Sequence, residues 1–195
     1  MAEVTHDEGV RQLAADLGSG DPVRVAGAIR DLNLRWQKLD DAAVAAPPAE
    51  VLDIVDPEVS EDVAVAYLKA LVFHDFVPPV DPHDRLRWTV HALLRHGGSR
   101  FATELALRLA DPESFGASVT DVLELIQEAG LPDDRARTAA GWLVSFLLGY
   151  PRCRQETLAV LAGWTRREDL VAVVEFVRPQ LNPDELGLLG SGPPS

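Results

Sequence analysis

The chain carries a single cysteine, Cys153, in 195 residues, so it can form no intramolecular disulfide; this fits a reducing compartment or simple disuse of the residue. It also lacks a long apolar run. The strongly apolar, charge-free stretch from Thr138 to Pro151 falls short of the about 20 residues that a bilayer requires. The N-terminus, Met-Ala-Glu-Val-Thr-His-Asp-Glu, is acidic where a secretory signal is basic and then apolar. Together these absences predict a cytoplasmic protein with no membrane segment. Basic residues are missing between Lys38 and Lys69, where Asp40, Asp41, Glu50, Asp53, Asp56, Glu58, Glu61 and Asp62 accumulate. The formal net charge of −13 and a pI of about 4.7 repel phosphate backbones, which disfavours nucleic acid and anionic membranes and suits a protein partner with a basic surface.

Sustained two-residue alternation is absent too, so strands are not expected. Serine-hydrolase elbows, Walker motifs, dinucleotide fingerprints and zinc-ligand pairs are all missing. No cofactor is therefore expected, and nothing in the sequence decides the oligomeric state. What is present is an ordinary globular composition, 47% hydrophobic and 25% charged, predicting one all-helical domain over 1–195 with a mobile tail at 188–195.

Helical spacing recurs along the whole chain. Val10, Leu13, Ala14 and Leu17 form a first stripe that stops at Gly18-Ser19-Gly20, and Val25, Ile29, Leu32 and Trp36 form a second. A short helix fits Ala49 to Val55, and Ser60 caps a segment with Val63, Ala66, Tyr67, Ala70 and Leu71 on one face. Ser99 opens a return helix with Phe101, Ala102, Leu105 and Leu109, and Val119, Val122, Leu123 and Ile126 carry the period to Gly130. The segment from Pro132 to Gly149 is apolar almost all round past Ala139 and is expected to be the most buried helix. A helix from Arg152 to Gly163 follows. Thr165 and Glu168 then have capping-box spacing ahead of Leu170, Val173, Val174 and Val177, and Pro179 and Asn182-Pro183 close that helix. With Asp-Pro recurring at 21, 56, 81 and 111 as helix starts, the expectation is an all-α fold of roughly nine to ten helices, in stacked antiparallel pairs or an irregular bundle.

The most informative stretch runs from Asp81 to His96. Asp81 supplies an N-cap oxygen and Pro82 suits the first helical position, where its missing N–H leaves nothing unpaired. Leu86, Val90, Leu93, Leu94 and Gly97 form the buried stripe, while Asp84, Trp88, His91 and Arg95 line up opposite it. A tryptophan beside an acid, an imidazole and a guanidinium resembles an interface anchor or a ligand wall more than a solvated face. Packing against a second neighbouring helix is the competing reading.

Pro82-His-Asp-Arg-Leu-Arg87 also matches Pro132-Asp-Asp-Arg-Ala-Arg137 at an offset of 50, and the apolar stripe carries over. Through this repeat the region of roughly 56–180 resembles, in architecture only, HEAT-like or armadillo-like helical repeats. That resemblance implies helix pairs on a shared core and a concave binding face. Trp88, His91 and Arg95 correspond there to Thr138, Gly141 and Ser145, small residues suited to close helix contact.

Four of the five histidines lie between His74 and His96, so a site built from His74, His83, Asp84 and His91 is the metal hypothesis to weigh. His83 and His91 are eight residues apart on one helix, too far along its axis to share an ion, and no metal is expected. Cys153, between Arg152 and Arg154, has no histidine nearby in sequence to complete a nucleophile pair and reads as incidental. The leading functional expectation is a non-enzymatic protein-interaction module: an adaptor, chaperone or immunity-type inhibitor. In it Asp53, Asp56, Glu58 and Glu61 steer a basic partner onto an anchor made by Trp88 with Asp84, His91 and Arg95. The alternative is a small helical enzyme or small-molecule binder using Asp84 and His91 as acid and base beside Trp88.

Overall fold

The computed structural model describes residues 82–111 and 116–190, with the side chains of 82–85 excepted, together with Gln12, Ala15, Asp16, Ser19, Arg24, Ala28, Glu61, Ala64, Val65 and Leu68. Among these residues the chain is all-α, with no strand. Its contacts divide it into two compact units, residues 1–96 and 97–195.

In the first unit Gln12, Ala15 and Asp16 are helical, and the chain bends at Ser19 where the sequence places a stop. The Ser19 hydroxyl donates to the Asp16 carbonyl at 2.8 Å, and the Asp16 carboxylate accepts from Gln12 and Arg24. Ala28, Ala64, Val65 and Leu68 are buried helical positions. Helix α1, Pro82–His96, begins at the proline, as its fixed φ favours. All five residues of the expected stripe, Leu86, Val90, Leu93, Leu94 and Gly97, are buried, and so are Thr89 and His96. The steering residues Asp53, Asp56 and Glu58, and the helices read around them, lie outside the described residues.

The second unit holds α2 (Ser99–Leu109), α3 (Val119–Ala129), α4 (Asp134–Gly149), α5 (Pro151–Trp164), α6 (Val171–Val177), a 3-10 turn (Arg178–Gln180) and α7 (Pro183–Gly190). Its longest helix, α4, packs against α2, α5 and α6, while α5 also takes α3 and α7. Contacts therefore run between alternate helices, α2 to α4 to α6 and α3 to α5 to α7. The neighbours α4 and α5, and to a smaller extent α5 and α6, bind the two rows together. The core is filled by Phe101 and Leu105 of α2, Leu123 and Ile126 of α3, Leu143 and Leu147 of α4, and Trp164 of α5, all fully buried.

Local signals explain most of the boundaries. Ser118 and Asp121 form a reciprocal capping box at the start of α3, and Gly130, at φ 70°, ends that helix in a conformation that other residues resist. Asp133 caps α4 by accepting from the Ala136 N–H at 2.8 Å, so the helix starts at Asp134, two residues after Pro132. The helix expected from Arg152 begins one residue earlier, with Pro151 as the first residue of α5. Two further expectations fail. Thr165 is still in the αR conformation at the end of α5 and donates its hydroxyl to the Ala162 carbonyl, so it cannot adopt the extended geometry of a capping box, and α6 starts only at Val171. Asn182-Pro183 opens α7 instead of closing a helix, and residues 188–190, read as tail, complete it.

Candidate functional site

Two surfaces carry residues whose exposure is not that of a plain solvated face. On α1, Trp88 and His91 are half-buried and Arg95 is exposed, brought together by helical spacing of three and four residues. The side chain of Asp84 lies outside the described residues, and Glu61 is a half-buried helical position in the same unit.

The second surface lies on α4 and α6, whose apolar residues the spacing assigns to the core. Helix α4 turns Ala136, Ala139, Ala140, Leu143, Val144, Leu147 and Leu148 inward, but Trp142 and Phe146 sit at the edge of that face and are only half-buried. Four residues apart, their rings stack with centroids 5.9 Å apart and planes 19° apart. From α6, Phe176 meets the Trp142 ring edge-on, with centroids 5.5 Å apart and an interplanar angle of 75°. Phe176 falls off the stripe of Val173, Val174 and Val177 and remains 42% exposed, unusual for so large an apolar side chain.

Gly141 makes this arrangement possible. A Cβ there would stand 2.8 Å from Phe176 Cδ1 and 3.0 Å from its Cγ, so the ring lies directly on the helix backbone. The expectation of a close helix contact is met at Gly141, whereas Ser145 is half-buried and Thr138 is exposed and turns its hydroxyl back to the Asp134 carbonyl. Ser145 accepts from Gln180 Nε2 at 2.6 Å. Next to Phe176 in sequence, Glu175 accepts two bonds from Arg178, which hold its carboxyl below the usual carboxylate range. Mid-helix Gly141 and an off-stripe Phe176 were the sequence signals available for this surface.

Other candidate chemistry resolves into structure. Cys153 is buried, and desolvation, helped by the Glu156 charge, pushes its thiol up, so the flanking arginines do not activate it. Arg154 is committed elsewhere: its guanidinium grips both oxygens of Glu185 at 2.7 and 2.8 Å and also reaches the Leu148 and Gln180 carbonyls. Arg137, Arg167 and Arg178 likewise pair with Asp134, Asp169 and Glu175. Among the described residues no three His, Cys, Asp or Glu side chains are placed to hold a metal ion, and no helix is long and apolar enough to cross a membrane. His74 and the side chains of His83 and Asp84 lie outside that set.

The Arg154 pair makes a pH prediction. Hydrogen bonds from Arg154, then from the Asn182 backbone, hold the Glu185 carboxyl below its ordinary value. A depressed folded-state pKa contributes stability that is present above the unfolded value, about 4.3, and is lost as the pH falls through the folded value. Glu185→Gln is therefore expected to flatten the acid limb of the urea-midpoint profile below about pH 4.5 while leaving its shape above pH 6 unchanged. Superimposable acid limbs would show that the pair is not maintained in solution.

No protein-family model, no curated protein and no solved structure gives a significant match to this chain.

Proposed function

We propose that this chain is a cytoplasmic helical protein-interaction module, an adaptor, chaperone or immunity-type inhibitor, whose partner is a protein with a basic surface. The observation that carries the reading is the Trp142, Phe146 and Phe176 surface: three mutually packed aromatic rings that are only partly buried, on a chain of net charge −13. Aromatic anchors of this kind supply most of the energy at protein interfaces, while complementary charge raises the association rate. The alternating contacts α2–α4–α6 and α3–α5–α7 support a solenoid-like order of two stacked rows, with the three rings on the row that contains α4 and α6. In the other unit, half-buried Trp88 with His91 and Arg95 is a second anchor of the same chemistry. Asp53, Asp56, Glu58 and Glu61 supply the steering field.

The test is native mass spectrometry of untagged protein purified from its own host, followed by binding kinetics with the chain that co-purifies. The expected partner has a net positive charge. Trp142→Ala and Phe176→Ala are each expected to cost about 2 kcal/mol, roughly thirtyfold in Kd, chiefly through faster dissociation. Charge reversal at Asp53, Asp56, Glu58 and Glu61 should instead slow association and flatten its dependence on salt. A chain that is purified bare, or a partner whose affinity ignores both aromatic substitutions, would overturn the reading.

A further inference from the structure

Helix α7 differs from the other helices of its unit in how it is attached. It is the last member of the row α3, α5, α7, and the element it packs on is α5. Of its eight residues only Glu185 and Leu189 are buried, and Leu188 is 59% exposed. Little apolar area therefore holds it down. Its polar attachment is concentrated at one end. Glu185 takes both guanidinium bonds from Arg154, and one of the same oxygens accepts the Asn182 N–H at 2.9 Å while Asn182 Oδ1 accepts the Glu185 N–H at 3.0 Å.

Arg154 does not depend on α7 in return. Its guanidinium also donates to the Leu148 carbonyl at the end of α4 and to the Gln180 carbonyl of the 3-10 turn, so it keeps partners on both neighbours if α7 departs. The fully buried Phe101 and Leu105 of α2, Leu123 and Ile126 of α3, and Leu143 and Leu147 of α4 all lie on helices other than α5, the one on which α7 packs.

We infer that α7 is a releasable latch: residues 183–190 detach from α5 as a unit, about a hinge at Leu181 and Asn182, when the Arg154–Glu185 pair is broken, while α2 to α6 stay folded. A helix docked on one side and closed by one charged pair sits at the low-stability end of such a structure, whereas α4 and α5 are held from several sides. The latch is a conformational device, independent of what the aromatic surface binds.

Amide hydrogen exchange of the full chain at constant pH tests it. In the wild type, the amides of Leu186 to Gly190 are expected to exchange well ahead of those in the middle of α4 and α5. Glu185→Gln should accelerate α7 by roughly tenfold or more and leave α4 and α5 unchanged, because charge-assisted hydrogen bonds are lost at that one site. Raising the salt concentration in the wild type should act in the same direction on the same amides, which keeps the test open if the variant does not fold. Exchange of α7 at the rate of α4 and α5, or an acceleration shared equally by all helices, would overturn the inference.

Discussion

Trp164→Ala is expected to remove about 3–5 kcal/mol from the stability of the second unit, a large share of the roughly 5–15 kcal/mol typical of a folded domain. Trp164 ends α5 with no exposed surface and heads the fully buried side chains by volume. Its ring fills the space where α5 meets α3, and its Nε1–H donates to Gln127 Oε1 at 3.1 Å. Truncation thus leaves a cavity and a glutamine without its indole donor. Trp164→Phe keeps much of the volume and loses only the N–H, so it should cost less, about 1–3 kcal/mol. Urea unfolding followed by far-UV circular dichroism gives both values without relying on tryptophan emission. A Trp164→Ala midpoint within error of the wild type would show that α3 and α5 do not pack around this ring.

Gly141→Ala is expected to change sign with its neighbour. In a helix interior, glycine costs about 1 kcal/mol relative to alanine, so the substitution alone should stabilise α4. With Phe176 in place the new methyl meets the ring at 2.8–3.0 Å, and overpacking of this kind costs about 1–3 kcal/mol. Net destabilisation of about 1 kcal/mol follows in the wild-type background. In a Phe176→Ala background the obstacle is gone and the same change should stabilise by up to about 1 kcal/mol. A double-mutant cycle in urea therefore reads a coupling of about 2 kcal/mol; a coupling near zero would mean that the ring does not lie on the glycine. Gly141→Val, whose branched Cβ carries two more methyls, should displace Phe176 from Trp142 and weaken partner binding as well as stability.

The two surfaces differ in how far they could be read from the residues. The face of α1 follows from spacing within one helix, and Trp88, His91 and Arg95 stand where periodicity puts them. The α4–α6 surface does not. The apolar residues of α4 cover almost the whole circumference, so no period distinguishes an edge from a centre, and Trp142 and Phe146 read as core. Which of them reaches solvent depends on where α6 lies, and that depends on Gly141 admitting Phe176. Thr165 gives the same lesson at smaller scale: a Thr-x-x-Glu spacing permits a capping box, but α5 runs on to Trp164 and holds Thr165 in its last turn.

Residue order alone specifies the helical class, the inward stripes of α1, α2, α3 and α6, and the breaks at Gly97-Gly98 and Gly130, because these rest on hydrogen bonds and side-chain directions within a few residues of each other. The pairing of Arg154 with Glu185, 31 residues apart, the bond from Trp164 to Gln127, 37 residues apart, and the exposure of Phe176 come from the packing of alternate helices. A local pattern says which side of a helix is apolar. Which neighbour covers that side, and which large side chain is left at its rim, is settled by contacts summed over the whole unit, where burial and volume act together and no single spacing carries the result.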